Sequence, residues 1–202
     1  MKQLNTQILI IGAGPSGMVA AGYLQKQGID CLIVEKSSFP RFSIGESLLP
    51  KSMENFKEAG LLEAIKAEGF QKKFGARFIK EDKVGEFDFS EKFGKGWDWT
   101  WQVPRADFDL VLANEIQRKG VKIYFNAEVK NVNFEEKQSL TEVEINSEEK
   151  IEIKAEFIID ASGNGRVLAE QLNLNASPKI TGNSSIFTHI KETSRPNGKE
   201  GE

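Results

Sequence analysis

Six residues, Gly12-Ala13-Gly14-Pro15-Ser16-Gly17, stand between an unbroken apolar run, Ile8-Leu9-Ile10-Ile11, and a stretch of helical spacing from Ser16 to Gln27. The run, from Gln7 to Ile11, suits a strand buried on both faces. Gly28 provides a stop for the helix. Cys31 to Val34 is a second short apolar run, and it ends at Glu35. Strand, tight turn, helix and strand within about 30 residues make the βαβ unit of a parallel sheet.

In such a turn the first glycine permits the sharp change of direction. The second lets the backbone approach a pyrophosphate, and the third lets the helix pack close to the strand. The start of the helix, from Ser16 on, just after Pro15, offers unpaired N–H groups and a partial positive charge to phosphates. Glu35 follows Gly17 by 18 residues, close to where a carboxylate bonds the ribose hydroxyls of a dinucleotide. A 2′-phosphate would be repelled by that carboxylate, which argues against NADP. Each signal alone has a plain alternative, a chance spacing among 18 glycines or a solvated acid after a strand. Together they predict a Rossmann-like α/β fold that binds an adenine dinucleotide.

The rest of the chain divides by pattern. Residues 37 to 50 read as a loop, and Met53 to Ala67 as one helix. Alternation, aromatics and glycines between 70 and 104 suggest antiparallel strands at Ala76 to Ile79, Glu86 to Phe89 and Trp97 to Val103. Arg105 to Lys119 returns to helical spacing, closed by Gly120, and Val121 to Phe125 is a third apolar strand. Glu128 to Phe134, Leu140 to Asn146 and Ile151 to Ala155 read as an antiparallel meander. Phe157 to Asp160 reads as a fourth buried strand running into a loop, Ala161 to Arg166. Ile180 to Lys191 is a last strand candidate before a charged tail. These patterns separate 1–70 and 105–170 from an inserted antiparallel piece in 71–104 and a last segment in 171–202.

Composition narrows the chemistry. A net charge of −3 provides no basic face for nucleic acid. Cys31 is the single cysteine and His189 the single histidine, so an intrachain disulfide, a cysteine-based metal site and two-histidine chemistry are all excluded. No apolar run approaches the length of a membrane span, and Ile8 to Ile11 is too short for a signal peptide. The expectation is a soluble protein of the cytoplasm.

Three segments beyond the glycine turn carry a family resemblance. Phe39-Pro40-Arg41-Phe42-Ser43-Ile44-Gly45-Glu46-Ser47-Leu48-Leu49-Pro50 resembles a loop of flavin-dependent halogenases and of their geranylgeranyl-reductase-like and aromatic-hydroxylase-like relatives. Gln102-Val103-Pro104-Arg105-Ala106-Asp107-Phe108-Asp109 is similar to a Gln-Val-x-Arg-x-x-Phe-Asp element of the same flavoproteins. Ile158-Ile159-Asp160-Ala161-Ser162-Gly163 is similar to their apolar strand ending in Asp-Ala-Ser/Thr-Gly.

The resemblance implies FAD. It assigns 1–70 and 105–170 to a cofactor-binding domain, and 71–104 and 171–202 to an incomplete substrate domain. It places Gly12, Gly14 and Gly17, with Pro15 and Ser16, at the pyrophosphate, and Glu35, followed by Lys36, at the adenosine ribose. Arg41 and Arg105 would neutralise phosphate charge, which a guanidinium fork suits. Val129 would meet adenine through its backbone, and Asp160 and Gly163 would line the crevice. Ile44 to Ser47, including Gly45 and Glu46, would lie near the isoalloxazine. Lys73, in Lys73-Phe74-Gly75-Ala76-Arg77-Phe78, resembles the lysine that relays activated halogen, but an ordinary surface lysine fits the lysine-rich surroundings better. Trp97, Trp99 and Trp101 would line a substrate pocket or a core with equal ease.

Implied partners are a small organic substrate and either NAD(P)H or a separate flavin reductase. Hydroxylation, halogenation and reduction all remain open. Two further readings use the same turn, an NAD-dependent dehydrogenase and a non-catalytic nucleotide-binding module. The relatives continue with a Gly-Asp segment that touches the flavin, and none follows Arg166. The chain therefore reads as the N-terminal part of a longer enzyme.

Overall fold

The computed structural model describes residues 2–176 and, beyond them, 182, 184, 186–188, 191, 193 and 194. The strand candidate Ile180 to Lys191 falls largely outside the described residues, as does His189. The βαβ unit is present, with β1 (Lys2–Ile11) starting five residues before the expected Gln7, followed by α1 (Pro15–Lys26) and β2 (Cys31–Val34). α2 (Pro50–Glu58) and α3 (Leu62–Ala67) follow, then β3 (Gln71–Lys73), β4 (Gly75–Lys80), β5 (Lys83–Asp88) and β6 (Thr100–Gln102). α4 (Arg105–Arg118) leads to β7 (Lys122–Tyr124), β8 (Ala127–Phe134), β9 (Ser139–Ile145) and β10 (Glu149–Asp160). A single 3-10 turn (Gly163–Gly165) and α5 (Val167–Gln171) close the series.

Six strands form one sheet in the order β7-β2-β1-β10-β9-β8. β7, β2, β1 and β10 run parallel, whereas β9 and β8 join antiparallel. Side chains alternate across a strand, so Ile10 and Ile33 face one way and Leu9, Ile11, Leu32 and Val34 the other. The first face packs under Met18 and Ala21 of α1, Met53 and Phe56 of α2, and Phe108, Leu112 and Ile116 of α4. The second packs against Val143, Ile151, Ile153 and Ala155. Burial on both faces is why these strands carry no polar alternation.

The structure corrects three further boundaries. The helix expected over 53–67 is two, because α2 ends in a Schellman cap: Leu61 N donates to Phe56 O and Gly60 N to Lys57 O, with Gly60 at φ +72°. The meander strand at 151–155 and the strand expected to be buried at 157–160 are one element, β10, whose residues 157–160 are not buried as expected, Phe157 being 65% exposed. Its first half lies between β9 and β1, and its last residues pair only with β1. The third is the expected strand 97–103, of which only Thr100–Gln102 is extended. Trp97, Trp99 and Trp101 instead stack edge to face, with centroids 5.5 and 5.1 Å apart, and pack on the helical core. None of the three lines the large cleft described below.

Candidate cofactor site

The carboxyl ends of β1, β2 and β10 open onto a cleft of about 760 Å³, beside the point where the sheet order reverses between β2 and β10. Ligands of open α/β sheets bind at such a switch point. The cleft floor is the glycine turn, and each glycine there answers a different demand. Gly12 has φ +102°, and a Cβ on it would stand 2.6 Å from Ala161 O in the turn after β10. A Cβ on Gly17 would lie 2.1 Å from Gly12 O, so α1 can sit this close to the turn only without a side chain. Gly14 differs: a Cβ there would face the cleft, with Arg41 Nη2 at 3.9 Å as its nearest neighbour. Its φ of −72° suits any residue. Nothing in the fold requires a glycine at 14, so the bare Cα serves what enters the cleft. α1 also starts without a side-chain cap, leaving its first amides to a ligand.

Glu35 is buried beside this floor. Its Oε2 accepts from Ala13 N at 2.9 Å and its Oε1 from Ser37 N at 2.9 Å. Each carboxylate oxygen has further lone pairs, so it keeps capacity for a ribose hydroxyl. Arg41 Nε lies 3.8 Å from Glu35 Oε1, is buried, and makes no hydrogen bond. Arg41 Nη2, 3.9 Å from where a Cβ on Gly14 would stand, and the uncapped first amides of α1 are donors that a phosphate group satisfies. These residues fit a dinucleotide.

The two arginines differ from expectation in their charge. Arg105 forks onto Asp109 of the next helical turn, with Nε and Nη2 at 2.9 and 3.0 Å from the two carboxylate oxygens. Arg41 Nη2 stands 3.4 Å from Asp109 Oδ2. Asp109 is fully buried, and the sequence reading assigned it no role. Arg105 Nη1 also donates to Ile44 O at 2.9 Å, pinning the loop that forms the far wall. Glu35, Arg41, Asp109 and Arg105 thus make a chain of two acids and two bases. The arginines bring N–H groups to the cleft, but their charge is already matched internally.

Of the other expected residues, Lys36, Val129 and Gly163 line the cleft. Asp160 is not among the lining residues. Its carboxylate accepts from Ser162 N and Leu168 N, which holds the turn and the start of α5 behind the cleft wall. Ser43 and Ile44 reach the cleft, whereas Gly45, Glu46 and Ser47 lie outside it. Gly45 N donates to Glu46 Oε2, and Ser47 bridges to β6. α5 adds Glu170 and Gln171 to the rim, which a five-residue helix after a loop did not announce. Lys73 is half-buried; its Nζ donates to Ser47 Oγ at 2.5 Å and stands 5.1 Å from the centroid of the Phe89 ring. Burial pushes the Lys73 amine below its ordinary pKa.

The family model described as FAD binding domain matches residues 5–195. The chain belongs to this family. FAD is accordingly its cofactor, and NAD is set aside as the occupant of this turn. A 1H-pyrrole-2-carbonyl-[peptidyl-carrier protein] chlorinase of Pseudomonas fluorescens is 32% identical over 209 residues, which cover 93% of this chain and 46% of that protein. The crystal structure of a flavoprotein/dehydrogenase from Cytophaga hutchinsonii superposes with a TM-score of 0.85 at 48% identity, covering 88% of this chain and 44% of the other. CmlS, a flavin-dependent halogenase, superposes with a TM-score of 0.77 at 33% identity, covering 84% and 31%. The chain spans less than half the length of each of these relatives. No helix among the described residues is long and apolar enough to cross a membrane.

Proposed function

We propose that the protein is an FAD-dependent oxidoreductase acting on a small organic molecule in the manner of flavin monooxygenases and halogenases, with Lys73 as a catalytic residue. The observation that carries this reading is the bond from the Lys73 amine to Ser47, three residues along the chain from the cleft-lining Ile44. Lys73 thereby exchanges part of its water for a hydroxyl and an aromatic ring. The amine, depressed by burial, is suited to hold or pass a proton at Nζ.

Gly12, Gly14, Pro15 and Ser16 would cradle the pyrophosphate, with Gly17 packed beneath them. Glu35 and Lys36 would take the adenosine ribose, Val129 the adenine, and Gly163 the flank. Arg41 and Arg105 would donate to phosphate oxygens. Asp160, Gly45 and Glu46 would shape the surrounding turns. Bound FAD supplies the electron transfer; the chain orients it and excludes water. We assign residues 71–104 to the substrate side and 1–70 with 105–170 to the cofactor side. Reducing power would come from NAD(P)H or from a separate flavin reductase, in the cytoplasm, where buried Cys31 stays reduced.

The test is product analysis by mass spectrometry. The protein is supplied with FAD, a flavin reductase, NADH, bromide and a panel of electron-rich phenols and indoles. Bromination or hydroxylation that disappears in Lys73→Ala, with FAD binding intact, supports the reading. Unchanged turnover in that variant refutes the role of Lys73. The similarity to the Cytophaga hutchinsonii flavoprotein/dehydrogenase favours a second reading in which a double bond is reduced. Consumption of reductant without oxygen, with an alkene as acceptor, would select it.

A further inference from the structure

β6 is held on both edges. On one side β3 pairs with it antiparallel, Gln71 opposite Gln102, Lys72 opposite Trp101 and Lys73 opposite Thr100. On the other side the loop leaving the cleft runs alongside: Ser47 bridges to Gln102, Leu48 N donates to Trp101 O, and Val103 N donates to Glu46 O. Residues opposite one another in a sheet carry their side chains on the same face. Gln71, Lys73, Thr100, Gln102 and Ser47 therefore share one face, with β6 between lysine and serine. A lysine side chain is long enough to cross that strand, and Nζ meets Ser47 Oγ at 2.5 Å. Phe89 completes the seat. Its backbone N donates to Phe74 O, which sets its buried ring beside the amine.

We infer that Ser47 is a positioning residue for Lys73, its hydroxyl accepting from the ammonium and locking the amine to the cofactor loop across β6. This rests on the catalytic reading of Lys73 given above. Arg105 fixes the same loop three residues earlier, at Ile44 O, so one rigid segment connects the phosphate-side arginine to the lysine amine. A hydroxyl acceptor stabilises the charged amine, while the ring attracts a cation over its face. Phe89 and Ser47 together give the amine one station instead of the many rotamers of a free lysine. Loop and lysine then move as a unit, and a change at the cleft is felt at Nζ.

The experiment is pulse labelling of the folded protein with acetic anhydride, with the modified peptides quantified by mass spectrometry. Lys72 serves as internal reference and the unfolded chain as upper limit. Removing the hydroxyl takes away the stabilising acceptor and frees the amine, and both effects raise its reactivity. Ser47→Ala should speed Lys73 labelling about 5- to 10-fold, the loss expected of one charge-assisted bond. Ser47→Thr, which keeps the hydroxyl, should remain near wild type, and Lys72 should be unaffected in both. In turnover, Ser47→Ala should lower kcat with KM unchanged. Equal Lys73 labelling in wild type and Ser47→Ala, in a chain that still melts cooperatively, overturns the positioning role alone. Unimpaired turnover in Lys73→Ala removes the catalytic role and the positioning role with it, although the contact would persist.

Discussion

Replacing Asp109 by Asn or Ala tests the charge chain that frames the cleft. Asp109 is 0% exposed and holds Arg105 through a two-point fork, with Arg41 at 3.4 Å. Removing one partner of a buried ion pair leaves its mate uncompensated, at a cost of about 3–5 kcal/mol. Here both guanidinium groups reach the cleft and can recruit water, so the lower end, about 3 kcal/mol, is the appropriate figure. For a domain of this size each kcal/mol moves Tm by roughly 2–4 °C, so Asp109→Ala should melt about 6–12 °C below wild type. Asp109→Asn retains one acceptor oxygen and should lose about half as much. Scanning calorimetry of the apo protein reads both. A further consequence separates this account from simple destabilisation. Freed of Asp109, the arginines carry uncompensated charge at the cleft, so FAD affinity in Asp109→Asn should fall more steeply with added salt than in wild type. A Tm change below about 1 °C in Asp109→Ala would refute the energetic reasoning. An identical salt slope would refute the claim that the arginine charge is matched internally.

Three other outcomes follow from the same geometry. Gly17→Ala must displace Gly12 O or the helix, since its Cβ would lie 2.1 Å from that oxygen; it should cost about 3 kcal/mol in a urea melt. Gly22→Ala, whose Cβ would lie 2.6 Å from Ala59 O, should loosen α1 from α2 and lower the urea midpoint without touching FAD binding. The Cys31 thiol is pushed up to about 11 by burial, with Asp30 adding to the shift, so its thiolate is scarce at pH 8. Ellman's reagent should find no reactive thiol in the folded protein and one in urea.

The fold was legible where a local pattern had one physical cause. β2 was read at its observed bounds because both of its faces are buried, which leaves an unbroken apolar run. Gly28 and Gly120 were read as helix stops, and both form the same pair of cap bonds found at Gly60. Gly60 gives no such signal, because Leu61, Leu62 and Ile65 continue the apolar spacing beyond it, and only the backbone reveals the break. β10 reads as two elements because Ile151, Ile153 and Ala155 alternate with charged residues while Phe157 to Ile159 do not. That change marks the departure of β9, an event no local pattern announces.

At the site, the glycine turn and Glu35 were visible because their spacing is fixed by the βαβ unit. Asp109 closes the Gln102–Asp109 element, but its role depends partly on Arg41, distant in sequence, and the spacing does not disclose it. The contact of Lys73 with Ser47 likewise depends on β6 bringing two loops together. Asp160 was read as a crevice residue and proves to hold the turn behind it, a role set by two backbone amides that the sequence does not mark.

The central claim is that the cleft over Gly14 holds FAD. Titration of FAD into the purified protein and into Gly14→Val, followed by the flavin absorbance bands and a parallel thermal melt, tests it most directly. Wild type should bind saturably with shifted bands. Gly14→Val should melt within about 2 °C of wild type, as its backbone suits any residue and its side chain enters open space, yet bind FAD about 100-fold more weakly or not at all. Equal FAD affinity in the two folded proteins would contradict the account and place the cofactor elsewhere.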